Sequence, residues 1–123
     1  MIPVLSDIKH VVLDSNALLI PFQFKVDIVS EITRLLGNVE IIVPSCVIDE
    51  LTKIKASEAK AAIKLANKFR VVEASKKGDR GVIEIAKKEH AAVVTNDQEL
   101  IKILRNSSIP VIRMRECQRL DFA

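Results

Sequence analysis

Residues 92–106, AVVTNDQELIKILRN, read as a strand that runs directly into a helix. Ala92–Thr95 is a short β-branched run of the kind that forms a buried strand. Asn96, with Glu99 three positions on, resembles a capping box for a helix over Gln98–Asn106 whose buried stripe is Leu100, Ile101 and Leu104. The same alternation recurs outward from this unit. Val11–Leu13 reads as a strand that stops at Asp14, and Val26–Leu36 as a helix with Val29, Ile32, Leu35 and Leu36 on one face and Gly37–Asn38 as its stop. Val39–Val43 is the next strand. Pro44 and Ser45 then open a helix, with Ser45 the expected N-cap and Val47, Leu51 and Ile54 its stripe, and a second helix follows over Ser57–Phe69. Arg70–Glu73 is a short strand, Lys76–Gly78 a loop, Asp79–Glu89 a helix with Val82, Ile83 and Ala86 inward, and Pro110–Ile112 the last strand. Short strands alternating with amphipathic helices specify an α/β fold, a parallel sheet covered by helices on both faces.

The chain has 123 residues, 49% of them hydrophobic and 28% charged, which predicts one domain over 1–123 able to bury its own core. Disorder, collagen-like and repeat architectures are excluded. Of its two cysteines, neither Cys46 nor Cys117 has a second ligand-like residue at metal spacing, so neither a disulfide framework nor a zinc site is expected. Met1–His10 lacks a basic region followed by an apolar stretch, and no apolar run is long enough to span a bilayer. The expected compartment is the cytoplasm, away from membranes.

Most of the sixteen Asp and Glu side chains suit a solvated surface, with Glu84–Lys88 and Asp49–Lys53 expected to pair across a helical turn. Four stand apart. Glu50 shares a helical face with Val47, Leu51 and Ile54, which puts a carboxylate on the buried stripe, where it needs a partner. Asp79 has the same relation to Val82, Ile83 and Ala86, and Asp97 to Leu100, Ile101 and Leu104. Asp14 ends the first strand and Asp97 closely follows Ala92–Thr95, so both lie at carboxyl ends of strands, where open α/β sheets bind ligands. Singly, each has an ordinary role open to it: a helix cap for Asp97, a first-turn acid for Asp79, an ion pair for Glu50, a turn for Asp14. Together, four anions at one cleft need a cation, and an oxygen set without His or Cys favours Mg²⁺ or Mn²⁺ over zinc. Such an ion lowers the pKa of bound water and clamps the oxygens of an in-line displacement at phosphorus, so phosphodiester hydrolysis is the expected reaction.

VVLDSN around Asp14, VIDEL around Glu50, GDRGVIEIA from Gly78 and VVTND ending at Asp97 resemble, in this order, the motifs of the PIN-domain ribonucleases, over roughly residues 9–115. The resemblance implies a Rossmann-like three-layer sandwich with a parallel five-stranded sheet of order 3-2-1-4-5, and it puts Asp14 and Asp97 on adjacent strands at the switch point. It implies that Asp14, Glu50, Asp79 and Asp97 are catalytic and hold one or two divalent ions. Ser15, Asn16, Thr95 and Asn96 then support the site by hydrogen bonds, turn chemistry or capping being their alternative. Within the family, LDSNALLIPFQFKVDI (13–28) is closer in appearance to the branch that matures small-subunit ribosomal RNA than to the toxins of toxin–antitoxin pairs.

The net charge of +3 conceals a division: residues 53–77 carry eight basic and two acidic side chains, and the remainder eleven basic and fourteen acidic. Lys60, Lys64 and Lys68 form a stripe on the helix Ser57–Phe69, which is a solvated face or, beside Glu50 and Asp79, a phosphate-binding one. Lys53, Lys76, Lys77 and Arg80 join them as candidate RNA contacts, with Arg113, Arg115 and Arg119 secondary. There is no Trp or Tyr, so base stacking is expected to be minor. Phe22 and Phe24 are expected in the core or in a homodimer contact. The expected activity is metal-dependent endoribonuclease action on RNA, in ribosomal RNA processing with an assembly partner, or as a toxin held by an antitoxin. Two other classes compete: a non-catalytic RNA-binding scaffold of ribosome assembly, which the four retained acids disfavour, and a phosphoacceptor signalling domain, which Leu13, Ser15 and Arg113 do not fit.

Overall fold

The computed structural model describes residues 7–116 and 118–123. Its strands are β1 (His10–Leu13), β2 (Glu40–Pro44), β3 (Arg70–Val72), β4 (Ala92–Val94), β5 (Val111–Arg115) and β6 (Arg119–Phe122). Its helices are α1 (Ser15–Phe24), α2 (Ile28–Leu36), α3 (Ser45–Thr52), α4 (Ser57–Ala66), α5 (Gly78–Glu89) and α6 (Gln98–Asn106). The strands form one sheet of order β3-β2-β1-β4-β5-β6, of which the first five are parallel in the expected order. The architecture is Rossmann-like. Val11, Val12, Leu13, Ile42, Val43, Val93 and Val94 are fully buried, as central parallel strands must be when helices cover both faces.

Two elements escaped the sequence pattern. The sheet has six strands rather than five, because β5 continues through Arg113 and Arg115 and turns back antiparallel as β6. Two arginines in five residues hide that strand from an apolar pattern. α1 is the other. Its sequence SNALLIPFQF has little polar contrast and holds Pro21, which cannot donate a helical hydrogen bond. The Asp14 carboxylate starts it and Lys25, in the left-handed region at φ 56°, ends it. Phe22 and Phe24 at its end are exposed, so the core is not their place.

Smaller expectations also change. Ser45 is not the N-cap of α3, which Pro44 occupies without a side-chain bond; the Ser45 hydroxyl instead accepts from the amide of Ala74 at 2.9 Å. α3 stops at Thr52, which leaves Ile54 exposed, and α4 stops at Ala66. In α5 the fully buried isoleucine is Ile85, with Ile83 half-buried. Helix α2 begins at Ile28 because Asp27 caps it, its Oδ1 accepting from the amide of Ser30 at 3.1 Å. α2 also grips β6: Glu31 Oε1 accepts from the amide of Leu120 at 2.9 Å, and Arg34 Nη2 donates to its carbonyl at 2.7 Å. Cys46 is free and buried, while Cys117 lies outside the described residues. No described helix is long and apolar enough to cross a membrane.

Candidate active site

Asp14 follows the last residue of β1 at the centre of the sheet, 6% exposed. Its Oδ1 accepts from the amide of Ala17 at 2.7 Å, so the N-cap that starts α1 also fixes the carboxylate. The register Leu13↔Val94 brings Thr95 alongside, and the buried Thr95 hydroxyl donates to Asp14. Burial pushes the Asp14 pKa up to about 7, against the pull of those two hydrogen bonds and with help from the charges of Asp79 and Asp97.

Asp97 caps α6, its Oδ1 accepting from the amides of Glu99 at 3.0 Å and Leu100 at 3.3 Å. This corrects the expected Asn96–Glu99 capping box: the cap lies one residue later. Asn96 turns instead to β5, where its Oδ1 accepts from the amide of Met114 at 2.8 Å. Thr95 Oγ1 accepts from the amide of Asp97 at 3.0 Å. One hydroxyl therefore ties Asp14 to the turn that carries Asp97. Ser15 is half-buried and Asn16 exposed in the first turn of α1.

Asp79 stands in the first turn of α5, exposed beyond the strand ends. Partial burial raises its pKa, and the negative charges of Asp97, Glu50 and Glu99 raise it further. Glu50 is exposed, which corrects its expected place on the buried stripe of α3; Cys46, Val47 and Leu51 form that stripe, and Glu50 lies beside it on the rim. Glu50 and Asp79 line one cleft of about 540 Å³ with Cys46, Asp49, Thr52, Lys53, Lys77 and Gly78. The cleft can close to this width because α5 has no side chain at Gly81, where a Cβ would meet Cys46 Sγ and lie 2.5 Å from the carbonyl of Lys76. Burial pushes the Cys46 thiol above its ordinary range, so it presents no thiolate to the cleft.

Two further acids lie in this region. Glu99, expected in a capping box, stands in the first turn of α6, and its charge contributes to raising the Asp79 pKa. Asp49, expected to pair with Lys53, lines the cleft with it and forms no ion pair, among the described residues. Glu84 forms no pair with Lys88, because Ser75 and Lys76 occupy it.

The structure separates the basic candidates. Lys53 and Lys77 line the cleft beside the acids, and Lys76 and Arg80 line a neighbouring groove. Lys60 and Lys64 on α4 and Lys68 in the turn after it are exposed and line neither. Because α4 leads to the start of β3, its stripe runs from the carboxyl edge of the sheet towards the amino edge, with Lys68 farthest from the acids. Arg115 pairs with Asp121 at 3.0 Å, and Arg113 Nε is buried without a partner among the described residues.

No three of the four carboxylates already converge within 4.8 Å, among the described residues. The group that does is His10, Glu40 and Glu89, at the opposite edge, where Arg70 supplies the cation at 2.8 Å from Glu40 and 3.0 Å from Glu89. At the carboxyl edge Glu50 and Asp79 have no hydrogen-bond donor among the described residues, and a hard divalent cation fits an all-oxygen set that includes a buried carboxyl strained against ionising.

A family model described as a PIN-like domain matches residues 11–117, a span holding all four acids. The chain belongs to this family. Of its PIN-like relatives, Ribonuclease VapC9 from Archaeoglobus fulgidus is 32% identical over 122 residues, covering 94% of this chain and 90% of the relative. Among solved structures, the PIN domain endonuclease Utp24 superposes with a TM-score of 0.82 at 22% identity, over 97% of this chain and 94% of that one. A domain of a functionally unknown protein from Methanocaldococcus jannaschii follows at a TM-score of 0.63 and 15% identity, over 87% and 91%. The likeness to these structures is one of fold; the PIN-like family itself, with ribonucleases among its members, was expected from the four motifs.

Proposed function

We propose that this PIN-like domain is a divalent-metal-dependent endoribonuclease in which Asp14, Glu50, Asp79 and Asp97 hold one or two Mg²⁺ or Mn²⁺ ions. The observation that carries the reading is the gathering of four carboxylates from separate segments at the carboxyl edge of the sheet: Asp14 after β1, Asp97 at the start of α6, and Glu50 and Asp79 lining one cleft. When bound, the divalent ion lowers the pKa of an attacking water and offsets charge on the phosphate. Thr95, by donating to Asp14, fixes that carboxyl at the strand end. Asp97 keeps its cap bonds to α6 through Oδ1. Lys53 and Lys77 draw the RNA backbone into the cleft; Lys76 and Arg80 extend the contact, and Lys60 and Lys64 of α4, with Lys68 just beyond it, add longer-range attraction. Ser15, Asn16 and Asn96 keep the supporting turns.

The test is cleavage of RNA with Mg²⁺ or Mn²⁺ by wild type and by Asp14→Asn. Cleavage that disappears in EDTA and in the folded variant supports the reading; undiminished cleavage by the variant overturns it. The motif LDSNALLIPFQFKVDI supports a role in ribosomal RNA processing in the cytoplasm, beside an assembly partner or a second copy covering Phe22 and Phe24. The likeness to Ribonuclease VapC9 favours a second reading, a toxin ribonuclease with its antitoxin. A specific cut in small-subunit ribosomal RNA precursor separates the first from growth arrest on expression, which marks the second.

A further inference from the structure

A second basic surface adjoins the cleft. Lys76, Arg80, Ile83, Glu84 and Lys87 line a groove of about 460 Å³ on the outer face of α5. The run Lys76–Arg80 forms the wall between the two: Lys77, Gly78 and Asp79 face the cleft, Lys76 and Arg80 the groove. Arg80 and Lys87 are two helical turns apart, ~10 Å along the axis, so the groove leads away from the acids. Its one acid, Glu84, is already engaged. Glu84 Oε1 accepts from the amides of Ser75 and Lys76, both at 3.0 Å, and Oε2 from the Ser75 hydroxyl at 2.8 Å. These bonds also hold the Glu84 pKa below the usual carboxylate range. The loop that presents Lys76 and Lys77 is therefore fastened to the floor of the groove.

We propose that this groove is a second phosphate-binding station that holds the RNA backbone beyond the cleaved bond, and that Glu84 is a positioning residue that sets it by fastening the Ser75–Lys76 loop. The inference rests on the ribonuclease reading of the cleft. RNA is the occupant because the groove offers three cations against one acid that is already hydrogen-bonded, and because it is continuous with the cleft across a shared wall. Backbone contacts of this kind are tolerant of sequence, so the station favours a long strand over a short one without selecting bases.

The experiment measures RNA binding in the non-cleaving Asp14→Asn background by fluorescence anisotropy. The probes are labelled oligouridylates of about twelve and about four nucleotides, titrated across a range of salt. Arg80→Ala with Lys87→Ala is expected to weaken the longer RNA about tenfold and to lower its salt slope by ~1.4, at ~0.7 per lost phosphate contact. The shorter RNA should be unaffected, and the charge-matched pair Lys9→Ala with Lys102→Ala should change neither. Glu84→Ala carries the decisive sign. Removing an acid from a basic groove strengthens binding if only charge matters; positioning demands weaker binding of the longer RNA, with recovery in Glu84→Gln. Tighter binding by Glu84→Ala overturns the positioning role. Equal loss on both RNAs, or none, overturns the station, as does a polyglutamate peptide whose binding alone depends on Arg80 and Lys87. No RNA binding even before these substitutions instead overturns the ribonuclease reading beneath it.

Discussion

Replacing Asp14 by Asn should make the metal-free protein more stable at neutral and alkaline pH. Asp14 is the buried carboxyl among the described residues, with a pKa of about 7 against an ordinary value of 3.8. The folded state thus binds the proton more tightly than the unfolded chain. Its contribution is fully present below pH 4 and is lost as the pH rises through 7. The difference amounts to ~4 kcal/mol once Asp14 is ionised, of which ~2.5 kcal/mol develops between pH 5 and pH 8. Asparagine keeps an oxygen for the amide of Ala17 but carries no charge to strand. Allowing ~2 kcal/mol for the weaker neutral hydrogen bonds, the variant gains ~2 kcal/mol at pH 8 and melts roughly 6–12 °C higher. Urea unfolding in EDTA at pH 5 and pH 8 measures this directly. Saturating Mg²⁺ should reverse the order, since the ion stabilises the charged carboxylate that only the wild type has. Parallel pH profiles for the two proteins, or a variant less stable at pH 8, would refute the reasoning.

Gly81→Ala should destabilise by ~1–3 kcal/mol, although alanine in an open helix gains ~1 kcal/mol over glycine, because its Cβ meets Cys46 Sγ and the Lys76 carbonyl. Urea midpoints decide the sign, and cleavage should fall too, since the clash pushes Glu50 from Asp79. Thr95→Val removes the hydroxyl shared by Asp14 and the amide of Asp97, at a cost of ~1–3 kcal/mol. The acid limb of the pH–rate profile should move to higher pH, because one of the interactions that lowers the Asp14 pKa is gone; an unmoved limb counts against that bond. Asn96→Ala strands the partly buried amide of Met114, and should cost ~1 kcal/mol in thermal unfolding while leaving RNA affinity unchanged.

The parallel core was legible because its strands are buried on both faces and read as short apolar runs bounded by carboxylates and caps. Strand-end position likewise led to Asp14 and Asp97. Side-chain direction was less legible. Periodicity put Glu50 on a buried stripe, but α3 is eight residues long and its rim opens onto the cleft, so the same angle around the axis meets solvent. Periodicity also failed for α1, whose start is set by Asp14 and whose apolar residues continue onto its exposed end at Phe22 and Phe24. Charge counting overstated α4: its lysines are exposed as expected, yet the chain direction carries them away from the acids. Glu99 was hidden by a second, sufficient explanation, the helix start it occupies.

The grip of α2 on β6 joins two parts of the domain that lie far apart in the chain. Glu31 and Arg34, which pair with each other within α2 at 3.1 Å, also reach a strand 89 and 86 positions further along the chain. Until β6 docks, β5 offers its unpaired amides and carbonyls as a template for another chain. Closure over such a span is slow compared with helix formation. β6 therefore covers an edge of the sheet that would otherwise be adhesive. An ion pair clasped around one backbone unit holds that cover in place.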